Sequence, residues 1–334
     1  MSQHHRDLTL LVDNLAHQAH ERVGLEPGWA WEQVCDLGLA YIGLAEEQGG
    51  SGGSLGDLLV VIRGLAHAGL ATPIVEASTA AYALGAVPVD GFATIAVERK
   101  RNLAPGPATV EWPDIRFPDT AATLVIVAAD AVLATALRQP GVTVVAGRDI
   151  ADLPCGTVQL LQVPLVAAVD APPAGEVSDR LAMARSAALL GTACAAYELT
   201  RDYVLTRQQF GAPLIEIPAV STTLAQITVR IGFTEAAVAR ALALCELSHC
   251  SSTRRSSAVA AARIAAAELA SLVARTAHQL HGALGFTEEY RLHRFTRALW
   301  AWRDADEPER DLCIRLGREA LTAGEVALWQ EISA

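Results

Sequence analysis

Residues 181–214 read LAMARSAALLGTACAAYELTRDYVLTRQQFGAPL. The stretch from Leu181 to Leu205 is rich in alanine and leucine and free of proline, the composition of one long helix. Then come Arg207, two glutamines, Phe210, Gly211 and Pro213. Read locally, this is a helix stop, with Arg207 facing the negative end of the dipole and Gly211 in the left-handed position. A second helix is expected from Val220 to Leu247, then a polar break at Ser248-His249-Cys250-Ser251-Ser252-Thr253, with Arg254-Arg255 in a solvated loop. A third helix runs from about Ser257 to Leu280, and one or two more lie between Arg291 and Ile332. Long apolar stripes with short connections predict an antiparallel four-helix bundle.

Upstream the pattern changes twice. Between Gly91 and Val169 short β-branched runs alternate with turn residues: Ala93–Val97, Thr123–Val127, Val142–Val145 and Val158–Val163. Prolines at 105, 107, 113, 118, 140, 154 and 164 read as punctuation of a small antiparallel β domain. Nearer the N-terminus the spacing is helical again, with Leu8, Val12, Leu15 and Ala19 on one face and Leu58, Val61, Ile62 and Leu65 on another. The Gly-rich segment between them, Gly49 to Gly56, misses GxGxxG spacing and follows no strand. It reads as a helix-to-helix turn, with Ser54 the N-cap of the next helix. The expected fold is therefore α+β, mostly α: an N-terminal helical domain (1–88), a short middle β domain (89–172) and a C-terminal four-helix bundle (173–334).

Composition narrows the function. The chain has 334 residues, 51% hydrophobic and 19% charged, enough to bury a large core. With 26 basic and 37 acidic residues the net charge is −11, a poor match to nucleic acid or anionic lipid. Cys35, Cys155, Cys194, Cys245, Cys250 and Cys313 are scattered without a CxxC pair, as expected of reduced packing residues. Residues 1–24 lack the apolar core of a signal peptide, and the longest uncharged run, Leu153 to Val169, is broken by prolines and too short to span a bilayer. A cytoplasmic location without a membrane span is expected. His278, His281 and His293 do not form an HExxH pattern, so no metal site is predicted. Trp300 and Trp302 read as core or interface aromatics.

A second segment bears on chemistry: Gln279-Leu280-His281-Gly282-Ala283-Leu284-Gly285-Phe286-Thr287-Glu288-Glu289-Tyr290. A helix runs here into a Gly-rich turn whose backbone can approach an anion closely. Together the two segments resemble the acyl-CoA dehydrogenase family, which carries Arg-x-x-Phe-Gly-x-Pro at the end of one C-domain helix and Gln-x-x-Gly-Gly-x-Gly-[FY] later in the chain. Leu37-Gly38-Leu39-Ala40-Tyr41-Ile42-Gly43-Leu44-Ala45-Glu46-Glu47-Gln48-Gly49-Gly50 is similar to the family's LGLLG…PEEYGG run.

The resemblance implies an FAD flavoprotein that converts an acyl-CoA thioester to the 2,3-enoyl-CoA and passes electrons to an electron-transfer flavoprotein or similar acceptor. A carboxylate removes the α proton while the β hydride goes to the flavin. Carried over by position, Arg207 pairs with the FAD diphosphate, Gln209 and Phe210 line the nucleotide, and Gln279 meets the adenosine side. Gly282 and Ala283 bring backbone to the diphosphate.

The departures are equally specific. Pro218 stands where the family usually has a glutamine, and Ala283 replaces the second glycine of the pair. The Thr-Glu-Pro-type segment that lies against the flavin is missing. Counted from Gln279, the catalytic glutamate position holds Asp306, one methylene shorter, and the following glycine is Glu307. The family's other base position falls on Leu181, with Asp179 and Arg180 off register. Short chains of this kind resemble the smaller subunit of heteromeric bacterial acyl-CoA dehydrogenases, implying an α2β2 assembly with a longer homologous subunit. The alternatives are a self-sufficient homo-oligomer with Asp306 or Glu307 as base, and a non-enzymatic scaffold of the same fold.

Overall fold

The computed structural model describes residues 3–21, 28–326 and 329. The last residues of the expected C-terminal helices, 330–332, lie outside these. The chain divides into two compact units, Met1–Ala184 and Arg185–Ala334.

The first unit opens with α1 (Gln3–Glu21), α2 (Trp29–Asp36), α3 (Leu55–Ala68) and α4 (Ile74–Leu84). Leu8, Val12 and Leu15 of α1 and Leu58, Val61, Ile62 and Leu65 of α3 are buried, the faces expected from their spacing. The two helices meet closely at Gly64, where a Cβ would lie 2.8 Å from Val12 Cγ1. Ser54 caps α3 in a reciprocal box: Asp57 N–H donates to Ser54 Oγ at 3.2 Å and Ser54 N–H to Asp57 Oδ2 at 2.8 Å. The Gly-rich segment before it is a packed turn, since a Cβ on Gly50 would sit 2.2 Å from the Leu44 carbonyl oxygen.

The sheet comprises β1 (Ala93–Val97), β2 (Gly106–Arg116), β3 (Thr123–Val127), β4 (Val132–Ala136), β5 (Val142–Arg148) and β6 (Pro154–Ala167). Its order is β1-β3-β4-β6-β2, with β5 also pairing β6. Two expectations need correction. The sheet is mixed, because β1 and β3 run parallel. And β2, which carries Pro107 and Pro113, is a strand rather than a connection. It pairs with β6 alone, where Pro107 stands opposite Pro164, and register shifts between Ala108 and Val110 and between Trp112 and Ile115 absorb the irregularity. The uncharged Leu153–Val169 run is mostly β6, a strand, so it forms no membrane-spanning helix. Phe92, Trp112, Phe117, Leu124, Ile126, Leu133, Val158 and Leu160 form the core with Ala77 of α4.

The second unit is built on α5 (Ala174–Thr206), α6 (Pro218–Glu246), α7 (Ser252–His281), α8 (Leu292–Arg303) and α9 (Glu309–Ala323). The unit boundary falls within α5. Pro218 occupies the first turn of α6, where its lacking N–H is harmless. Ser251 accepts a bond from Arg254 N–H and starts α7, so Arg254 and Arg255 stand in a helix, not in the expected loop. α7 is long and apolar enough to cross a membrane by composition, but 67% of its most apolar window is buried here. Its buried alanines, among them Ala262, Ala266, Ala270 and Ala274, let the neighbouring helices approach.

Candidate functional site

The Arg207–Pro213 motif is a hairpin. α5 ends at Thr206, and β7 (Gln208–Gln209) pairs antiparallel with β8 (Ala212–Pro213), with Gln209 opposite Ala212. Phe210 and Gly211 make the two-residue turn at φ 55° and 85°. Gly211 thus serves a hairpin, not the helix stop expected from the sequence. Such a turn prefers Asn-Gly, and a phenylalanine with positive φ is strained. The strain presents the ring outward, because Phe210 is 93% exposed.

Arg207 stands at the root of the hairpin. Its N–H donates to Tyr203 O at 2.8 Å and its carbonyl accepts from Leu214 N–H at 2.9 Å, so the backbone is held on both sides. Its guanidinium is exposed and meets no partner among the described residues. The carboxamides of Gln209 and Gln279 are likewise exposed and unpartnered among the described residues.

α7 stops at Gly282, whose φ of 58° and ψ of −138° are open to glycine alone. Its N–H closes the helix onto His278 O, so its contribution to a ligand is close approach, with nothing within 4 Å of where a Cβ would be. Ala283 follows, exposed, in a 3₁₀ turn (Gly282–Phe286). Behind the turn His278 stacks on Phe286 at 4.5 Å and shares a 2.8 Å hydrogen bond with Thr296 Oγ1. Burial holds the His278 imidazole below its ordinary value, and His293 adds to the shift.

One guanidinium, two carboxamides, a displayed aromatic ring and a side-chain-free turn form a donor set suited to a dinucleotide. The residues present therefore fit the nucleotide end of FAD.

The base position is different in kind. Asp306 accepts a hydrogen bond from Arg185 Nε at 2.8 Å. Arg185 is buried, and its guanidinium lies 4.9 Å over the Trp302 ring. Arg263, also buried, donates through Nη2 to the carbonyls of Trp302 and Arg303 at 2.9 Å and of Ala305 at 3.3 Å. Burial drives Arg263 down to about 10, with Asp306 opposing the shift. Glu307 lies 3.7 Å from Arg315 Nε. Both candidate carboxylates are thus held by arginines. In the first unit Leu181 is buried and apolar, and Arg180 donates to Gly43 O at 3.1 Å. Sequence reasoning passed over Arg185 and Arg263. The available signal was Arg263 itself, a lone cation in the apolar run Ala258–Ala267.

The acyl-CoA dehydrogenase C-terminal domain family matches residues 177–303. The acyl-CoA dehydrogenase IpdE2 of Mycobacterium tuberculosis is 29% identical over 86% of this chain and 86% of its own length. A chain of the ChsE4–ChsE5 complex of M. tuberculosis superposes with a TM-score of 0.82 at 21% identity, over 97% of this chain and 99% of that one. A chain of the Tcur3481–Tcur3483 steroid acyl-CoA dehydrogenase, in its G363A variant, gives 0.84 at 20% identity, over 99% of each. The motif pair, the helix–sheet–helix order and these likenesses agree: residues 177–303 match the acyl-CoA dehydrogenase C-terminal domain, and the chain has the acyl-CoA dehydrogenase fold.

Proposed function

We propose that this chain is the smaller, FAD-completing subunit of a heterotetrameric (α2β2) acyl-CoA dehydrogenase and that a longer homologous subunit supplies the catalytic base. The observation that carries the reading is a contrast within one unit. Arg207, Gln209 and Gln279 face solvent without partners among the described residues, while Asp306 is tied to Arg185. A guanidinium favours the charged form of a carboxylate, the opposite of what a group collecting a proton needs.

Bound here, FAD would supply the acceptor for the hydride leaving the β carbon of the acyl chain. In this chain Arg207 neutralises diphosphate charge, Gln209 and Phe210 line the nucleotide, and Gln279 hydrogen-bonds the adenosine side. Gly282 and Ala283 allow backbone to come near the phosphates. The substrate is an acyl-CoA thioester, and the likeness to a steroid acyl-CoA dehydrogenase supports an acyl group bearing a ring system. Electrons leave to an electron-transfer flavoprotein or similar acceptor, and the assembly works in the cytoplasm.

Co-expression tests this. The chain purified alone is expected to be colourless. With a longer homologue encoded beside it, the complex is expected to be yellow and to reduce an electron acceptor with acyl-CoA. A chain that is yellow and active alone favours the self-sufficient enzyme with Asp306 or Glu307 as base. A colourless preparation under both conditions leaves a scaffold.

A further inference from the structure

The two nucleotide motifs meet at one buried histidine. His281 is 3% exposed and stands between Gln279 and Gly282 on the chain. Its ring stacks on Tyr203, one helical turn before Arg207, with centroids 4.4 Å apart and planes at 20°. Tyr290, in the loop before α8, sits edge-on to Tyr203 at 6.2 Å. His281 Nδ1 lies 2.8 Å from Ala277 O, and Nε2 lies 3.1 Å from Tyr290 Oη. A carbonyl only accepts, so Nδ1 carries the proton. In the neutral ring Nε2 then accepts from the Tyr290 hydroxyl, which fixes a single tautomer.

We infer that His281 is a positioning residue for the dinucleotide: its neutral ring locks the end of α5, the end of α7 and the loop before α8 together, and its protonation loosens the grip of Arg207 and Gln279 on the cofactor. The inference rests on the FAD reading above. It deepens that reading by naming what aligns two donors far apart in sequence.

The direction of the pH effect follows from the surroundings. Burial pushes His281 below its ordinary 6.5; the bond to Ala277 O opposes this and His278 reinforces it. The neutral form is thus the one the fold prefers. Its contribution is complete above 6.5 and is lost as pH falls through the lower folded value. The other titratable or charged groups around the cluster are Asp202 and Tyr203 on α5, His278 on α7, Tyr290 and Arg291 in the loop, and His293 on α8. Two of these are histidines, so both need controls.

The test is FAD release from the assembled complex, followed by flavin fluorescence between pH 7.5 and 5.5. The wild type is expected to lose affinity several-fold on acidification. His281→Phe keeps the stack on Tyr203 but cannot titrate, so it should bind FAD more weakly at pH 7.5 and lose the acid-dependent step. Tyr290→Phe removes one hydroxyl and keeps the ring. Without its donor the neutral form of His281 is less favoured, so the midpoint should move to higher pH. Imidazole NMR of the FAD-free chain should show His281 titrating below 6.5. The inference is overturned if His281→Phe retains the wild-type pH profile, if the double control His278→Gln/His293→Gln abolishes it, or if His281 titrates at or above 6.5. A wild-type complex that holds no FAD at any pH removes the FAD reading and this inference with it. Bound FAD with the wrong profile removes the inference alone.

Discussion

Arg185 Nε donates to Asp306 Oδ2 at 2.8 Å, and the two side chains are 3% and 23% exposed. The position that counting assigns to a proton-abstracting carboxylate is therefore one half of an ion pair with a buried guanidinium. Asp306 also sits at φ 65°, in a turn whose preceding carbonyls Arg263 holds from α7. This turn is fixed in place from two helices.

The first prediction concerns this pair. Asp306→Asn keeps an oxygen for Arg185 and should leave turnover of the assembled complex nearly unchanged. Asp306→Ala leaves a buried cation without its carboxylate and should cost about 3 kcal/mol of stability. Steady-state kinetics and denaturant unfolding check the two parts. A fall in kcat beyond roughly 100-fold for the asparagine variant, the scale for a displaced catalytic group, would return Asp306 to the role of base.

Arg207→Ala separates binding from folding. The guanidinium touches nothing among the described residues, so unfolding free energy should change by no more than about 0.5 kcal/mol. A hydrogen bond to a charged phosphate contributes about 1.5–3 kcal/mol, so FAD affinity in the complex should fall roughly 10- to 100-fold. Arg207→Lys should recover only part of this, because a point charge cannot bind two phosphate oxygens side by side. Unchanged flavin content in purified Arg207→Ala would remove the diphosphate assignment.

Phe210 should move stability and binding in opposite directions. Its positive φ at an exposed hairpin turn carries a conformational cost of about 1 kcal/mol that glycine avoids. Phe210→Gly should therefore raise the unfolding midpoint of the chain slightly while weakening FAD retention. A variant that loses both stability and flavin would mean that the ring packs within the chain, contrary to its exposure.

These sites also show where the sequence was legible. The long helices could be read because alanine and leucine recur at helical spacing from Leu181 to Leu205 and from Val220 to Leu247; α5 covers the first stretch and α6 the second up to Glu246. Ser54 was legible as a cap because its partner Asp57 is only three residues away. Non-local facts were not legible. Nothing near Ala93 says that β1 pairs parallel with β3, and prolines that read as strand punctuation, Pro107 and Pro113 in β2 and Pro164 in β6, stand inside paired strands. The Phe210-Gly211 hairpin looked like a helix stop because glycine at positive φ serves both. The partnership of Arg185 with Asp306 spans most of the second unit, and no spacing rule reports it.

In the first unit buried Arg116 donates through Nη1 to Asp149 Oδ2 at 2.7 Å, and its Nε lies 4.0 Å from Glu76 Oε1. It ties β2 to α4 and to the loop before β6. Arg116→Ala removes the cation beside buried Glu76 and part-buried Asp149 and should destabilise the chain by about 3 kcal/mol. The accompanying Glu76→Gln/Asp149→Asn changes should restore part of the loss by neutralising both. Denaturant unfolding of the three proteins measures this coupling, and a double change that worsens the alanine variant would contradict it.

The pH dependence of the first unit should report on Glu98. This buried carboxylate accepts bonds from Lys100 N–H at 2.8 Å, Arg101 N–H at 3.0 Å, Arg101 Nη1 at 2.8 Å and Trp112 Nε1 at 3.1 Å. Burial alone would raise its proton affinity, but the four donors together bring it below the ordinary 4.5. The folded chain therefore prefers the ionised form. The stabilisation is complete above 4.5 and disappears as pH falls through the lower folded value. Glu98→Gln, which turns an acceptor into a group with two donors of its own, should cost about 1–3 kcal/mol at pH 7. That gap should narrow as the pH drops below 4.5, because the wild type then pays to keep the carboxylate charged or gives up the same bonds. Urea unfolding of both proteins at pH 7, 5 and 3.5 measures the gap directly, and a difference that stays constant across the three would show that the ionised carboxylate is not what these donors stabilise.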